Sequence, residues 1–149
     1  MKNITLTLLL ALVFVSSCKK DSNPPVTDVY AAGYQQINGK KVATLWKNGQ
    51  AILLSTGQIN EYANSVFVSG NDVYVAGYEY TGMAATAIVW KNGVPNPLTN
   101  GQQNAYAYSV YVVGVDVYVA GKEDLGLKSV AKVWKNGVPT ALTNGSQNA

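Results

Sequence analysis

The hydrophobic pattern of this chain consists of short apolar runs separated by turn residues. Between residues 65 and 98 the pattern predicts four strands, at 65–69, 73–77, 86–90 and 94–98. The sequence Lys91-Asn92-Gly93 predicts a tight hairpin between the last two strands, because Asn-Gly readily adopts positive φ angles. The run 73–77 is apolar on both faces, which predicts burial on both. Pro95 and Pro97 predict that the fourth strand lies at an exposed edge, since proline cannot donate to a strand ladder.

The same pattern recurs with a period of 44 residues. An Asp-Val-Tyr-x-Ala-Gly run begins at Asp28, Asp72 and Asp116, and a Trp-Lys-Asn-Gly run begins at Trp46, Trp90 and Trp134. Residues 72–105 and 116–149 share 23 identities in 34 positions. The tryptophans repeat at a strand end and are predicted to pack between units, and the aspartates fit a turn-capping role. The chain is therefore built on an internal repeat.

Four short strands in a unit of this length are typical of a β-propeller blade. Residues 28–149 resemble bacterial propeller repeats of the Trp-Lys-Asn-Gly type, with units at 28–71, 72–115 and 116–149. The resemblance implies an all-β fold of β-propeller-like four-stranded blades, in which the run 73–77 is the inner strand of its blade. An open β-solenoid or a stack of sheets is the structural alternative.

The number of units is too small for a closed propeller. Residues 28–149 hold about 2.8 repeats, whereas propellers usually close with 4 to 8 blades. The first unit lacks a first strand, and residues 146–149 match 102–105, the lead-in to a next unit. We therefore expect a fragment of a larger closed propeller. If the chain is complete, the alternative is self-assembly of copies, because open apolar edges favour association.

The N-terminus has the organisation of an export signal. Lys2 precedes a mostly apolar run at 4–15, which is too short to span a bilayer. Val15-Ser16-Ser17-Cys18 then resembles the lipobox of bacterial lipoproteins, which implies a signal peptide at 1–17 and a lipidated Cys18 followed by a tether up to residue 27. Several acyl chains on Cys18 would anchor the protein stably in membrane lipid. An ordinary secretory signal with an unrelated cysteine is the alternative.

Composition excludes several classes of function. The chain of 149 residues has no histidine and a single cysteine, so it has no His-dependent nucleophile system, no His-containing zinc site and no multi-Cys metal cluster. Its net charge of +3 is small and scattered, which argues against a nucleic-acid surface. Neither a phosphate-binding glycine loop nor a clear carboxylate pair is present in the sequence. We expect no catalytic residue, no metal site and no cofactor in this stretch.

Candidate ligand-binding residues lie in the longer loops, which in a propeller share the face opposite the tight turns. They are Tyr34, Gln35, Gln36, Tyr78, Glu79, Tyr80, Glu123 and Asp124 between second and third strands, and Gln58, Asn60, Gln102, Gln103, Asn104, Gln147 and Asn148 between units. Tyrosine suits stacking on a sugar or a protein partner, although loop tyrosines also serve packing. For the repeated Asn60, Asn104 and Asn148 we expect hydrogen bonding to the loop backbone, and a polar site for a sugar hydroxyl in each unit is the alternative.

These features together predict a cell-envelope lipoprotein. The partner of Cys18 is membrane lipid, and Lys19 lacks the aspartate that favours inner-membrane retention in enteric-type lipoproteins, so we expect the outer membrane, on either face. The repeats are expected to act as a binding or scaffold module for glycan or protein. The alternatives are the propeller part of a larger polysaccharide-processing enzyme and a purely structural repeat protein.

Overall fold

The computed structural model describes residues 27–146, which form three antiparallel sheets and no helix. The first sheet consists of β1 (Tyr30–Ile37), β2 (Lys40–Lys47) and β3 (Gln50–Leu53). The second consists of β4 (Glu61–Ser69), β5 (Asp72–Tyr80), β6 (Ala85–Lys91) and β7 (Val94–Pro97). The third consists of β8 (Ala105–Val113), β9 (Asp116–Leu125), β10 (Lys128–Lys135) and β11 (Val138–Ala141). The predicted all-β class and the four strands of the second unit are confirmed.

Each sheet is a meander in which every strand pairs with the next one along the chain. The proline-bearing β7 is at a sheet edge and is exposed along its length, as predicted. The run 73–77 is buried, but its predicted place as the inner strand is wrong: β5 lies second, between β4 and β6. The preceding strand takes the edge because β4 begins as early as Glu61 and pairs with β5 over nearly its whole length.

The Asn-Gly hairpins have the backbone that the sequence predicts. Asn48, Asn92 and Asn136 have φ angles of 52°, 52° and 51°, and the glycine after each has a φ of 80–82°. Two consecutive residues with positive φ form the turn that matches the twist of the flanking strands. The repeated hairpin therefore joins the last two strands of each sheet with two residues.

The aspartate that opens each unit holds this hairpin. In the second unit, Asp72 accepts a hydrogen bond from Asn92 Nδ2 at 2.7 Å and pairs with Lys91 Nζ at 2.8 Å. Asn92 Oδ1 in turn accepts from Val73 N at 2.9 Å. The same three contacts recur at Asp28 and at Asp116. This Asp-Lys-Asn clasp confirms the turn-capping role and lowers the pKa of each aspartate through the hydrogen bonds from lysine and asparagine.

The sheets are stacked in chain order with two apolar layers between them. β4 packs on β1 and β2, and β8 packs on β4, β5 and β6. Trp90 lies in the first layer and Trp134 in the second, and both are fully buried, which confirms their predicted packing role. Trp46 is half-buried, because it lies on the face of the first sheet that no other described sheet covers. Residues 27–146 do not form a closed ring of sheets.

A glycine on the preceding strand of the same sheet lies against the ring of each of these tryptophans. A Cβ on Gly77 would lie 3.0 Å from the Trp90 ring and only 1.9 Å from the carbonyl oxygen of Tyr62 in β4. Gly121 has the same surroundings in the third sheet. The close approach coincides with a bulge after Ala63, and after Ala107 in the third sheet. Glycine is therefore required at 77 and 121 by backbone contact as well as by the indole ring, whereas Gly33 meets only the ring of Trp46.

The long connections meet at the end of the sheets away from the Asn-Gly hairpins. Asn60 Oδ1 accepts a hydrogen bond from Lys41 N at 3.0 Å, and Asn104 Oδ1 accepts one from Ala85 N at 2.8 Å. Their main-chain oxygens accept from the ends of β5 and β9. These bonds confirm the loop-backbone role predicted for the two asparagines, whereas Asn148 lies outside the described residues. No helix among residues 27–146 is long and apolar enough to cross a membrane.

Candidate functional site

Six tyrosines form a continuous group across the three sheets at this long-loop end. We call this group the tyrosine cluster; its members are Tyr34, Tyr62, Tyr78, Tyr80, Tyr106 and Tyr108. Tyr34 of the first sheet meets Tyr62 edge-on at a centroid distance of 5.3 Å, and Tyr62 stacks on Tyr78 at 4.6 Å. Tyr78 then meets Tyr106 of the third sheet at 4.9 Å. Such pairs are favourable beyond their buried area.

Strand pairing explains why these rings come together. Tyr62 lies directly opposite Tyr78 in the β4–β5 pair, and cross-strand neighbours of this kind are close enough for ring contact. Tyr78 and Tyr80 share a face of β5, since side chains alternate along a strand. Because β4 packs on β1 and β8 packs on β4, the tyrosines of neighbouring sheets come into contact with one another.

The cluster combines buried and exposed rings. Tyr62, Tyr78 and Tyr106 are half-buried, whereas Tyr34, Tyr80 and Tyr108 are exposed. Burial, together with the neighbouring tyrosines, raises the pKa of Tyr78 to about 12. Burial also raises the pKa of Tyr106 to about 12, and the side-chain hydrogen bond between Tyr106 and Tyr80 adds to the effect. Both phenols are therefore neutral at physiological pH and keep their hydroxyl protons.

Two lysines lie against the rings. Lys41 Nζ is 5.0 Å from the centroid of Tyr34 and 4.8 Å from that of Tyr62, within the range of cation–π attraction. Its pKa is raised, first by a hydrogen bond with Tyr62. Lys122 Nζ is 5.3 Å from the centroid of Tyr106. The cluster thus presents apolar ring surface beside two ammonium groups.

Asp124 lies beside Lys122 at the third-sheet end of the cluster. Its Oδ1 is 3.1 Å from Lys122 Nζ and accepts a hydrogen bond from Ser129. Burial alone would raise the pKa of Asp124, but the hydrogen bonds from Ser129 and Lys122 outweigh burial and lower it. Asp124 is therefore ionised and held in place by the neighbouring strands.

Glu79 faces another carboxylate. It lies opposite Glu61 in the β4–β5 pair, on the face away from Tyr62 and Tyr78. Glu61 is buried, and its Oε2 has no hydrogen-bond partner in the described part of the chain. Burial, and next the charge of Glu79, raise the pKa of Glu61 to about 7; burial also raises the pKa of Glu79. Because Glu61 is out of contact with solvent, this pair is poorly placed to act on a substrate.

Glu123 lies in a separate cleft between the second and third sheets. It forms an ion pair with Lys132, and both side chains are mostly buried. The cleft has a volume of about 380 Å³ and is lined also by Asn100 and by Trp134. The indole Nε1 of Trp134 is buried without a hydrogen-bond partner among the described residues. Glu123 is thus held by Lys132 and does not join the tyrosine cluster.

The structure brings together only some of the residues predicted from the sequence. Tyr34, Tyr78 and Tyr80 belong to one cluster, and Asp124 borders it. Gln102 and Gln103 are exposed in the connection between the second and third sheets, and Asn104 is engaged with Ala85 N. Gln35, Gln36 and Gln58 are half-buried or exposed outside the cluster. The predicted loop position between second and third strands is wrong, because β1, β5 and β9 extend far enough to include Tyr34, Gln35, Gln36, Tyr78, Glu79, Tyr80, Glu123 and Asp124. Gln147 lies outside the described residues.

Five residues of the site were not predicted: Tyr62, Tyr106, Tyr108, Lys41 and Lys122. The first strand of the second unit is predicted to begin at residue 65, whereas β4 begins at Glu61 and the equivalent β8 begins at Ala105. A signal was present: Tyr62 and Tyr106 are 44 residues apart and follow the repeated asparagine by two positions. Their alternation with alanine is typical of a strand with one ring-bearing face.

Across residues 27–146, no group of three or more His, Cys, Asp or Glu side chains is arranged to hold a metal ion. The chemistry that the cluster offers is ring contact, neutral hydroxyl donors and two cations. Comparison of the sequence with family models, with curated proteins and with solved structures finds no match.

Proposed function

We propose that this protein is a lipid-anchored cell-envelope protein whose repeats bind glycan through the tyrosine cluster. The observation that carries the proposal is the continuity of six rings across three sheets, with three of them exposed. The rings of Tyr34, Tyr80 and Tyr108 offer flat apolar surface to the C–H faces of sugars, and their hydroxyls can bond sugar hydroxyls. A polymer of sugars suits a row of rings better than a single pocket.

The anchor is proposed from the sequence, since Cys18 lies outside the described residues. The apolar run at 4–15 and the lipobox-like Val15-Ser16-Ser17-Cys18 support it. A labelled fatty acid fed to the expressing bacterium should be incorporated into the wild-type chain and not into Cys18→Ser. Equal labelling of both chains would contradict the anchor.

We also propose that the three sheets are blades of a propeller. Their meander order, their face-to-face stacking in chain order and the exposed last strand of each sheet support this. In a propeller the long-loop end is one face of the ring, so the tyrosine cluster would belong to a ligand-binding face.

The alternative, a polysaccharide-processing enzyme, has less support from the positions of the carboxylates. Glu61 is buried, Glu123 is paired with Lys132, and Asp124 is bonded to Ser129 and Lys122. A general acid or base must reach the reacting group of a substrate. None of these carboxylates is free and exposed in the way this requires.

The test is retention of the full chain on polysaccharide affinity gels, with Tyr108→Ala as the variant and Tyr111→Ala as its matched control. Both tyrosines are exposed on β8, but only Tyr108 belongs to the cluster. We expect Tyr108→Ala and Tyr80→Ala to weaken binding about tenfold, corresponding to about 1.4 kcal/mol each. Tyr80→Phe should retain most of the binding, since the ring is kept.

Two results would contradict the glycan proposal. One is the absence of retention on every glycan of a panel of neutral and acidic polysaccharides. The other is an equal loss in Tyr111→Ala, since that residue lies outside the cluster and its substitution should leave the ring surface unchanged.

A further inference from the structure

The outer face of the third sheet carries the same apolar positions that the second sheet buries. In the second sheet these positions pack against the third sheet and are Phe67, Tyr74, Ala76, Ala87, Val89 and Leu98. One period further along the chain, the corresponding residues are Tyr111, Tyr118, Ala120, Ala131, Val133 and Leu142. We call this second set the open face. Its residues repeat an interface that the molecule already contains.

The two sets differ in what covers them. Tyr74, Ala76 and Ala87 are buried, because β8 and Trp134 of the third sheet lie on them. On the open face, Ala120 is exposed and Leu142 is 62% exposed. Tyr111, at the edge of this face, is 57% exposed although its ring meets that of Phe67 in the second sheet at 4.9 Å. No further sheet lies on this face among the residues that the structure describes. Exposed apolar side chains that lie together on one face of a sheet are typical of an interaction site.

The opposite side of each sheet, which packs on the preceding sheet, is also repeated along the chain. The second and third sheets each cover their predecessor with a tryptophan of the third strand, which lies on the glycine of the second strand. The first sheet presents the same arrangement on its outer side. The ring of Trp46 lies over Gly33, and Ala31 is directly opposite Trp46 in the β1–β2 pair. We call this the Trp46 face.

We propose that the open face of one copy of this chain packs on the Trp46 face of a second copy. The two faces lie at opposite ends of the stack of sheets, so one association covers both. The occupant is a second copy because the chain itself supplies both halves of an interface that it forms internally twice. The contact is heterologous, since it joins two different surfaces, and it adds copies head to tail.

The contact in this assembly is made by the second and third strands of the incoming copy. In the described residues the first sheet has no strand before β1, so the counterpart of β8 is absent from this contact. Ala31, Gly33 and Trp46 therefore face Ala120, Ala131 and Val133 without a first strand beside them. The geometry predicts an association weaker than the internal interfaces.

The experiment is site-directed crosslinking of the full chain in native membranes with a short bis-maleimide. Ala120→Cys places a thiol on the open face, and Ala31→Cys places one on the Trp46 face. Both positions are exposed. Co-expression of the two variants should give a crosslinked product of twice the chain mass, at least tenfold above the amount that either variant gives alone. Leu127→Cys, in the exposed turn after β9, is the control for random collision.

A second variant separates the proposed contact from crowding in the membrane. Val133→Asp, added to the Ala120→Cys chain, places a charge in the open face and should abolish the crosslink, while far-UV circular dichroism checks that the sheets remain. The proposal is overturned if the crosslinked product is absent, if Ala120→Cys alone crosslinks as strongly as the mixture, or if Leu127→Cys gives the same yield. Glycan binding is scored separately, because Ala120 and Ala31 lie outside the tyrosine cluster.

Discussion

Replacing Glu61 with glutamine should make the protein more stable at neutral and alkaline pH. Glu61 is 5% exposed and lies opposite Glu79, and its Oε2 has no partner within residues 27–146. Burial, followed by the charge of Glu79, raises its pKa from 4.5 to about 7. Glutamine keeps the shape of the side chain and removes the charge that is costly to bury.

The magnitude follows from the pKa difference between the folded and unfolded states. A shift of one pKa unit corresponds to about 1.4 kcal/mol, so a rise from 4.5 to about 7 corresponds to at most about 3 kcal/mol. Because the folded-state pKa of this acid is raised, the stability is fully present below pH 4.5. It falls as the pH rises from 4.5 to about 7 and is then constant.

The assay is urea-induced unfolding, followed by tryptophan fluorescence from pH 4 to pH 8. The wild-type free energy of unfolding should decline across this range, and that of Glu61→Gln should decline much less, so that the variant gains up to about 3 kcal/mol at pH 8. Glu79→Gln is the matched control. It removes a second acid of raised pKa and should give a smaller gain, since Glu79 is less deeply buried.

Two outcomes would refute this reasoning. The first is a wild-type stability that does not change between pH 4.5 and pH 8. The second is a Glu61→Gln chain that is less stable than wild type at pH 8, which would mean that the ionised carboxylate has a partner. The clasp aspartates do not confuse the measurement, because their pKa values are lowered and their contribution is lost only below about pH 4.

Three further predictions concern the repeated contacts. Gly77→Ala should destabilise the protein by about 3 kcal/mol or more, because the new Cβ would meet a backbone oxygen. Gly33→Ala should cost only about 1 kcal/mol, because its Cβ would meet an indole ring at 3.1 Å. Thermal unfolding compares the two variants, and equal losses of stability would contradict the backbone contact at Gly77. Asn92→Ala should be about 1 kcal/mol less stable than Asn92→Gly in urea, since alanine disfavours a φ of 52°; equal stabilities would argue against backbone strain. Lys132→Met should lower the free energy of unfolding by about 1–3 kcal/mol, because it leaves the mostly buried Glu123 unpaired. The double variant with Glu123→Gln should recover part of the loss in the same assay. A Lys132→Met variant as stable as wild type would contradict the ion pair.

Local structure could be predicted from this sequence to a useful degree. The Asn-Gly pairs, the prolines at 95 and 97 and the alternating apolar runs are each dictated by backbone chemistry within a few residues. Because of the 44-residue period, each of these local patterns occurs two or three times in the chain, which strengthens the prediction made from it. Burial of Trp90 and Trp134 followed from the same repetition, since a large apolar residue kept at one strand position is most simply explained by packing between units.

The site was harder to predict because it depends on pairs that are far apart in the sequence. Tyr34 contacts Tyr62, and Tyr78 contacts Tyr106, through the packing of one sheet on the next. No spacing rule along a single strand links these residues. The bulges after Ala63 and Ala107 add a further shift, because each changes the face to which the following side chains point.

The order of strands within each sheet was also beyond the local pattern. A run that is apolar on both faces predicts burial, and both an edge strand covered by a neighbouring sheet and a central strand satisfy that condition. β5 is central and β4 lies at the edge; the part of β4 from residue 65 was predicted as a strand, whereas polar Glu61 and Asn64 obscure its first four residues in the sequence.

The meander connectivity has a consequence for how the chain folds. Every ladder joins strands that are adjacent in the sequence, so no sheet has to wait for a distant segment before it can form. Chains whose contacts are close in sequence fold faster than all-β proteins with distant pairings. Stability in such an array is roughly a sum over neighbouring units. Damage confined to the last repeat would therefore leave the first two sheets able to fold, and the array would lose structure from its ends inward.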